Sequence, residues 1–433
     1  MAMQTERIPA RRRRLGDRLA VLGEREFTWF FIGYTTSLIG SSMAPVAVAF
    51  AVLDGEDGAG GAGGAGGGGG TALGWVMAAR ILPVVLVLLA GGVIADRLGS
   101  RRVMLGSDLL RGLVQALFAG LLAAGHAPVW SMVALVALWG VGEGLFMPAF
   151  GAIVPDLVRR KELMADANTL LGLARSVSTV VGPAAAGLVT AAWGPATVLL
   201  ADAVTYGVGA FALARLRLPV RAAAGGEESM IRDLRAGWSE FASRPWLWIT
   251  TAQMGLFNLL VWAPFLVLGP LLSQRDLGGA RAWGLVMGVY GAGAVLSGLL
   301  MLGRAPARPL AVASAAALAW ALPSGALAAG AGLPWVAAGA LVAGAGSAVC
   351  GTLYNTTLQK WVPVELLGRM TAFGVLGAFA LGPLGLAAAG PLAGRFGADT
   401  VLLVGAVWQL AAGAVVLAVP AVRNRRWEEG PDS

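Results

Sequence analysis

The chain has 433 residues, 57% of them hydrophobic and only 13% charged, with a mean hydropathy of +0.73. Soluble domains carry roughly a quarter charged residues, so this composition excludes a soluble globular protein and describes one built into a membrane. The net charge of +8 is no nucleic-acid signal, because the basic residues gather in short connectors between apolar runs.

In chain order, residues 1–26 form a basic tail containing Arg11–Arg14. It is expected to be cytoplasmic and is no signal peptide, since the apolar stretch after it is too long and lacks a small-residue cleavage motif. The first predicted span is Phe27–Leu53, with Pro45 in its outer half. Asp54–Thr71 is almost pure Gly and Ala; with no Gly-Lys-Ser/Thr ending and no preceding strand it reads as a floppy external linker, not a phosphate loop. Further spans are predicted at 73–95, 103–124, 130–153, 168–192 and 195–216. The polar segment Leu218–Pro245 then interrupts the pattern. In it Ile231, Leu234, Trp238 and Phe241 recur at helical spacing opposite Arg232, Asp233, Arg235 and Glu240, which predicts an amphipathic helix along the inner membrane surface. Six more spans follow at 246–272, 283–303, 309–329, 334–358, 369–391 and 398–420, then a basic tail. The domains are therefore 1–26, 27–217, 218–245, 246–420 and 421–433.

Charge orients the chain. With both termini inside, inner connectors hold Arg97–Arg102, Arg159–Lys161, Arg217–Arg244, Arg304, Arg308, Lys360 and Arg369. Outer ones hold only Arg275, Arg281 and Arg395, as the positive-inside rule requires. Cys350 is the single cysteine and lies in a span, so no disulfide forms; His126 is the single histidine, so no histidine-built metal site is expected.

The chain also repeats itself at an offset of about 200 residues. Gly182-Pro183 followed by Gly187 returns as Gly382-Pro383 with Ala387–Gly390; the Gly194–Leu200 stretch returns as Gly397–Leu403; Gly74–Met77 returns as Gly284–Met287. Two six-span halves of parallel topology place a substrate site between them at mid-membrane. The expected fold is all-α: twelve transmembrane helices in two pseudo-symmetric six-helix bundles.

The connector after the second span reads Gly92-Val-Ile-Ala-Asp96-Arg97-Leu-Gly99-Ser-Arg101-Arg102. Asp96 suits a helix end through charge and dipole, Gly99 supplies the bend, and the arginines anchor the turn on the inner side. The pattern Gly-x-x-x-Asp-Arg-x-Gly followed by paired arginines resembles the loop motif of the major facilitator superfamily. Phe146-x-Pro148-Ala149, Val154–Val158, Glu162-Leu163, Ala167-Asn168, Gly182-Pro183 and Leu216–Pro219 are similar to its bacterial drug-antiporter and secretion-effector branch. That branch includes macrolide and enterobactin exporters. One departure stands out: many members carry an Asp after the first-span glycine, where this chain has Ser41 after Gly40.

The resemblance implies a conformational lock at Gly92, Asp96, Arg97, Gly99, Arg101 and Arg102, and an antiporter motif at Gly182, Pro183 and Gly187. Ionisable groups inside spans cost about 3 kcal/mol each on insertion scales, so each calls for a reason. Glu143 and Arg175 differ in depth by about one helical turn and are expected to pair across neighbouring helices, the acid alternating between arginine and a proton. A static buried pair is the alternative. Asp108 and Arg111, three apart on one face, suit a packing pair or a second coupling pair. Asp202 has no sequence-near partner. Arg80 lies seven residues into the second span. Phe146, Met147, Phe257, Trp262 and Phe265 suit a lipophilic substrate, with Asn258, Gln253 and Asn355 as orienting amides.

The expected function is secondary-active, proton-coupled export of amphiphilic small molecules (drug, antibiotic or siderophore) from a bacterial inner membrane by a monomer. The partners are a small lipophilic substrate, protons and the bilayer, with no nucleic acid and no cofactor. A small-metabolite uniporter or importer and a non-transporting scaffold are the alternatives. No nucleophile–base–acid set can be assembled, so an enzyme is not expected, and no nucleotide loop is present to use ATP.

Overall fold

A computed structural model describes residues 20–58, 68–158, 160–217, 241–304 and 306–424. Twelve described helices are long and apolar enough to cross a membrane. In the first half these are α1 (Arg25–Gly58), α2 (Gly68–Leu98), α3 (Ser100–Ala123), α4 (Val129–Leu157), α5 (Met164–Trp193) and α6 (Pro195–Arg215). The second half holds α7 (Pro245–Leu277), α8 (Ala280–Met301), α9 (Pro309–Ala328), α10 (Leu333–Trp361), α11 (Val364–Phe379 and Gly382–Phe396) and α12 (Ala398–Ala418). Every predicted span is present, displaced by a few residues at the ends.

The glycine linker is shorter than its sequence suggests. Helix α1 continues through Asp54 to Gly58 and α2 begins at Gly68; the remaining linker residues lie outside the described residues. So does the amphipathic segment up to Glu240, apart from Phe241, which is buried against Phe373 of α11.

The repeat is a repeat of packing. In the first half α1 packs on α5 and α6, α2 on α4, and α3 on α4 and α6; in the second, α7 packs on α11 and α12, α8 on α10, and α9 on α10 and α12. The halves meet through α2 against the second segment of α11 and through α5 against α8, a pair of contacts that the same pseudo-twofold exchanges. Gly194 and Gly397, matched in the sequence repeat, introduce α6 and α12 with φ of 81° and 88°.

Both contacts lie toward the end of the bundle opposite the termini. Gly187 of α5 faces Gly284 of α8, and Gly74 of α2 faces Leu386 of α11. At the same end α1 is enclosed on every side, with Val46–Leu53 no more than 4% exposed. Toward the other end the chain opens: Arg175 sits between Tyr34 of α1 and Phe150 of α4, well inside α5, and is exposed.

Candidate functional site

The turn between α2 and α3 is a single residue. Gly99, at φ 85° and ψ 132°, breaks the backbone between Leu98 and Ser100, a conformation an L side chain rarely adopts. Arg101 then reaches across to α6, donating from Nε to Leu213 O at 2.8 Å and from Nη2 to Ala214 O at 2.7 Å. A guanidinium on the last free carbonyls of a helix satisfies those acceptors and opposes the negative end of its dipole. Arg101 therefore pins the turn to the first half itself, while Arg97 and Arg102 remain exposed. The side chains of Gly92 and Asp96 lie outside the described residues, so the lock contact expected of Asp96 does too.

Glu143 forms an ion pair, with a different arginine from the one expected. Arg80 of α2 grips it with both prongs, Nε to Oε2 at 3.0 Å and Nη2 to Oε1 at 3.1 Å, and lies 4.2 Å above the ring of Trp139. Arg175 instead donates to the Tyr34 hydroxyl at 3.3 Å. The reason is azimuth rather than depth. Gly140 and Gly144 let α4 press onto α2 at Arg80 and Val84, and Glu143 projects beside that seam. The two side chains of the pair are 25% and 28% exposed, so this bidentate pair in mid-span is only partly buried.

Behind it lies a closed polar core on one face of α3, the Asp108, Arg111, Gln115 line. Asp108 and Arg111 form a buried ion pair, 2% and 7% exposed. The Arg111 guanidinium lies between two rings, 4.4 Å from Phe146 and 4.5 Å from Tyr206. Ser107 donates to the carbonyl of Gly142, tying α3 to α4. Asp202, which had no partner in sequence, accepts from Gln115 Nε2 at 2.9 Å. The Tyr206 hydroxyl accepts from Trp139 Nε1 at 2.8 Å and lies 2.9 Å from the Ser41 hydroxyl, which also bonds the Ser37 carbonyl at 2.7 Å, so Ser41, where the resemblance leads one to expect an acid, joins this network as a hydroxyl. Burying an ion pair costs desolvation that only full hydrogen bonding offsets, and this core provides most of it.

Gly182 and Pro183 are buried within a continuous α5, Gly182 against Ser42 of α1. Their second copy behaves differently: Gly382-Pro383 opens the second segment of α11 after a break at Ala380 and Leu381. Pro183 costs a backbone bond inside a helix that runs on through it; Pro383 starts a helix, where its missing N–H is harmless.

Of the candidate substrate residues, Phe257 and Asn355 line a cavity of 430 Å³ enclosed by all six spans of the second half. Gln253 lines it too. Asn258 does not: it is 3% exposed and its Nδ2 donates to Met254 O and Ala378 O, tying α7 to α11. Trp262 is also packing, part of a five-ring cluster with Phe257, Phe265, Tyr290 and Trp320. A π-helical turn at Asn258–Trp262 and a tight turn at Leu318–Trp320 aim the two indoles at each other, centroids 4.7 Å apart. Phe146 is taken up by Arg111, and Met147, 51% exposed, stands on the first half.

Two transport-competent halves joined at one end, with mid-span charges in one and a cavity in the other, are the build of a membrane transporter. Residues 27–386 match the family described as Major Facilitator Superfamily, and the chain belongs to it; this is a family of transporters, not of enzymes. Among curated relatives, the multidrug efflux pump Tap of Mycobacterium tuberculosis is 28% identical over 81% of this chain and 85% of its own length. Macrolide efflux protein A of Streptococcus pyogenes is 23% identical over 64% of this chain, and the match spans 66% of that protein. Among solved structures, a variant of the nucleoside transporter NupG superposes with a TM-score of 0.72 at 12% identity, covering 90% of this chain and 98% of its own. The D-xylose-proton symporter superposes at 0.66 and 13% identity, covering 94% and 99%. At such identities these two show the fold.

Proposed function

We propose that the chain is a secondary-active exporter of amphiphilic small molecules, driven by proton entry and working by alternating access. It is a monomer in a bacterial cell membrane with both termini cytoplasmic. The observation that carries this reading is the Glu143–Arg80 pair, an acid held by an arginine in mid-span and only partly buried. The names of the relatives support export of drugs, and the arginine-rich connectors at the open end support an opening toward the cytoplasm.

In this reading the described conformation faces inward. Glu143 is ionised and neutralised by Arg80. When the halves reopen at the opposite end, a proton on Glu143 frees Arg80, and drug leaves. Closing that end again returns the arginine and expels the proton inward. Asp96 is the lock of the outward-facing state, and Gly182, Pro183 and Gly187 let α5 seal against α8. Arg175, Asp108 and Arg111 position the charges, with Phe146 stacked on Arg111, and Met147, Phe257 and Asn355 face the path of the substrate.

The test is proton flux in inverted vesicles upon addition of a macrolide. Glu143→Gln, which mimics the protonated acid, should still bind drug and exchange it down a gradient. It should lose uphill accumulation and the drug-triggered proton flux. Uphill pumping at the wild-type rate by Glu143→Gln would place the coupling acid elsewhere.

A further inference from the structure

Ionisable side chains are distributed unevenly between the halves. Arg80, Asp108, Arg111, Glu143, Arg175 and Asp202 all lie inside spans of the first half. The cavity of the second half draws residues from all six of its spans and, among the described residues, has no Asp, Glu, Lys, Arg or His in its lining. Its volume of 430 Å³ falls within the range of about 300–1,000 Å³ typical of small-molecule sites.

A charged ligand entering it would lose its hydration and meet no counter-ion. Trp320, the largest ring in the lining, is packed against Phe257, Trp262, Phe265 and Tyr290 at centroid distances of 4.7 to 5.7 Å. Its Nε1 donates to Ser347 at 2.7 Å, which fixes the indole.

The cavity does offer unused hydrogen bonds. Gln409 of α12 is 1% exposed; its Nε2 donates to Ala317 O at 2.7 Å, leaving Oε1 buried with no partner. Gln253 of α7, which also lines the cavity, has a buried Nε2 with no partner. A fixed acceptor and a donor, each left desolvated, are complemented by a ligand carrying one N–H or O–H and one carbonyl.

We propose that this cavity binds uncharged, ring-bearing molecules with an amide or comparable donor–acceptor pair, held by Gln409 Oε1 and Gln253 Nε2. Such a molecule fills the apolar walls with its ring and satisfies both amides. An ammonium of the same shape satisfies at most the acceptor and carries an unneutralised charge. The inference rests on the export reading only for its role as a substrate site; the binding itself does not depend on it.

The test uses the full chain in lipid nanodiscs and a matched pair of probes: chloramphenicol, a neutral aryl acetamide, and its deacylated amine, which is a cation at neutral pH. Saturable equilibrium binding of chloramphenicol at least tenfold tighter than of the amine is expected. Gln409→Leu and Gln253→Leu should each weaken chloramphenicol by about tenfold, one hydrogen bond's worth. Gln409→Glu should reverse the preference by supplying the missing counter-charge, an outcome that misfolding cannot imitate. Equal binding of the two probes, absence of saturable chloramphenicol binding, or unaltered binding by both leucine variants overturns the proposal. Vesicle transport separates the two readings. Binding as described without any drug-driven export leaves the site and removes the export reading; export without this binding does the reverse.

Discussion

The crossing of Gly187 and Gly284 should set which end of the protein is closed. A Cβ on Gly187 would lie 2.6 Å from the carbonyl oxygen of Ala280 and 2.8 Å from Gly284 Cα, both backbone atoms that no rotamer change can move. Gly187→Ala therefore forces α5 and α8 apart by several tenths of an ångström. Overpacking of this kind costs about 1–3 kcal/mol. The penalty applies only while the two helices cross. The gain in helix propensity from alanine, about 1 kcal/mol, is present in both states and cancels. The ratio of the two states should thus shift about 5- to 150-fold toward the one open at this end. The natural thiol is removed by Cys350→Ala, leaving no other cysteine. Reporter cysteines are then placed one at a time at Asn355, exposed toward the termini end, and at Leu268, 0% exposed beside Gly70 at the closed end. Gly187→Ala should slow maleimide labelling at 355 and speed it at 268, moving the ratio of rates by that factor. A ratio changed less than about twofold would refute the role given to this crossing.

Three further outcomes are expected. Asp96→Asn should slow transport while leaving expression and drug binding nearly intact, because it removes a contact of one state only; wild-type turnover in vesicles would exclude the lock. Reporter fusions at residues 62 and 225 should report opposite sides, outside and inside, and the same side for both would overturn the orientation. Gly99→Ala meets no atom within 4 Å, so whatever stability it loses is backbone strain at φ 85°. That loss should be about 1–3 kcal/mol in detergent denaturation, and an unchanged midpoint would show that the turn readjusts freely.

The span count, the repeat and the loop motif were legible because hydrophobic length and glycine spacing are properties of the chain itself. The partner of Glu143 was not. Depth along a helix follows from counting residues, but the direction a side chain faces depends on which neighbour the helix abuts, and Gly140 and Gly144 decide that for α4. The same holds for Trp262 and Asn258: a polar or aromatic residue in a span looks alike whether it faces a ligand or a neighbouring helix, and here both serve packing. Asp202 seemed alone in sequence, yet Asp108, Arg111 and Gln115 fall at i, i+3 and i+7 on α3, one polar stripe that required a polar surface opposite. The cavity of the second half left a fainter signal, since Gln253 and Gln409 lie more than a hundred residues apart and only the fold of α7 against α12 brings them to one space.

Sequence duplication has been kept where the halves must act alike and lost where they act differently. The glycines at 74 and 284 survive in both copies because each stands at one of the two crossings that the pseudo-twofold exchanges, and a side chain at either would hold one crossing apart. Charge has not been kept in both. Each ionisable group deep in a span costs about 3 kcal/mol on insertion scales, and the six that lie away from the span ends, Arg80, Asp108, Arg111, Glu143, Arg175 and Asp202, are in the first half. A cost of that size persists only where a group has work that an apolar residue cannot do. The first half, with Glu143 only partly buried and Arg111 enclosed behind it, suits the exchange of protons proposed for it; the second, with unpaired amides in a cavity whose described lining carries no charge, suits the holding of a neutral cargo. Because α2 and α5, which carry Arg80 and Gly187, also make the main contacts of the first half with the second, the proton-driven change proposed at Glu143–Arg80 would act on the contacts that open and close the cargo's path.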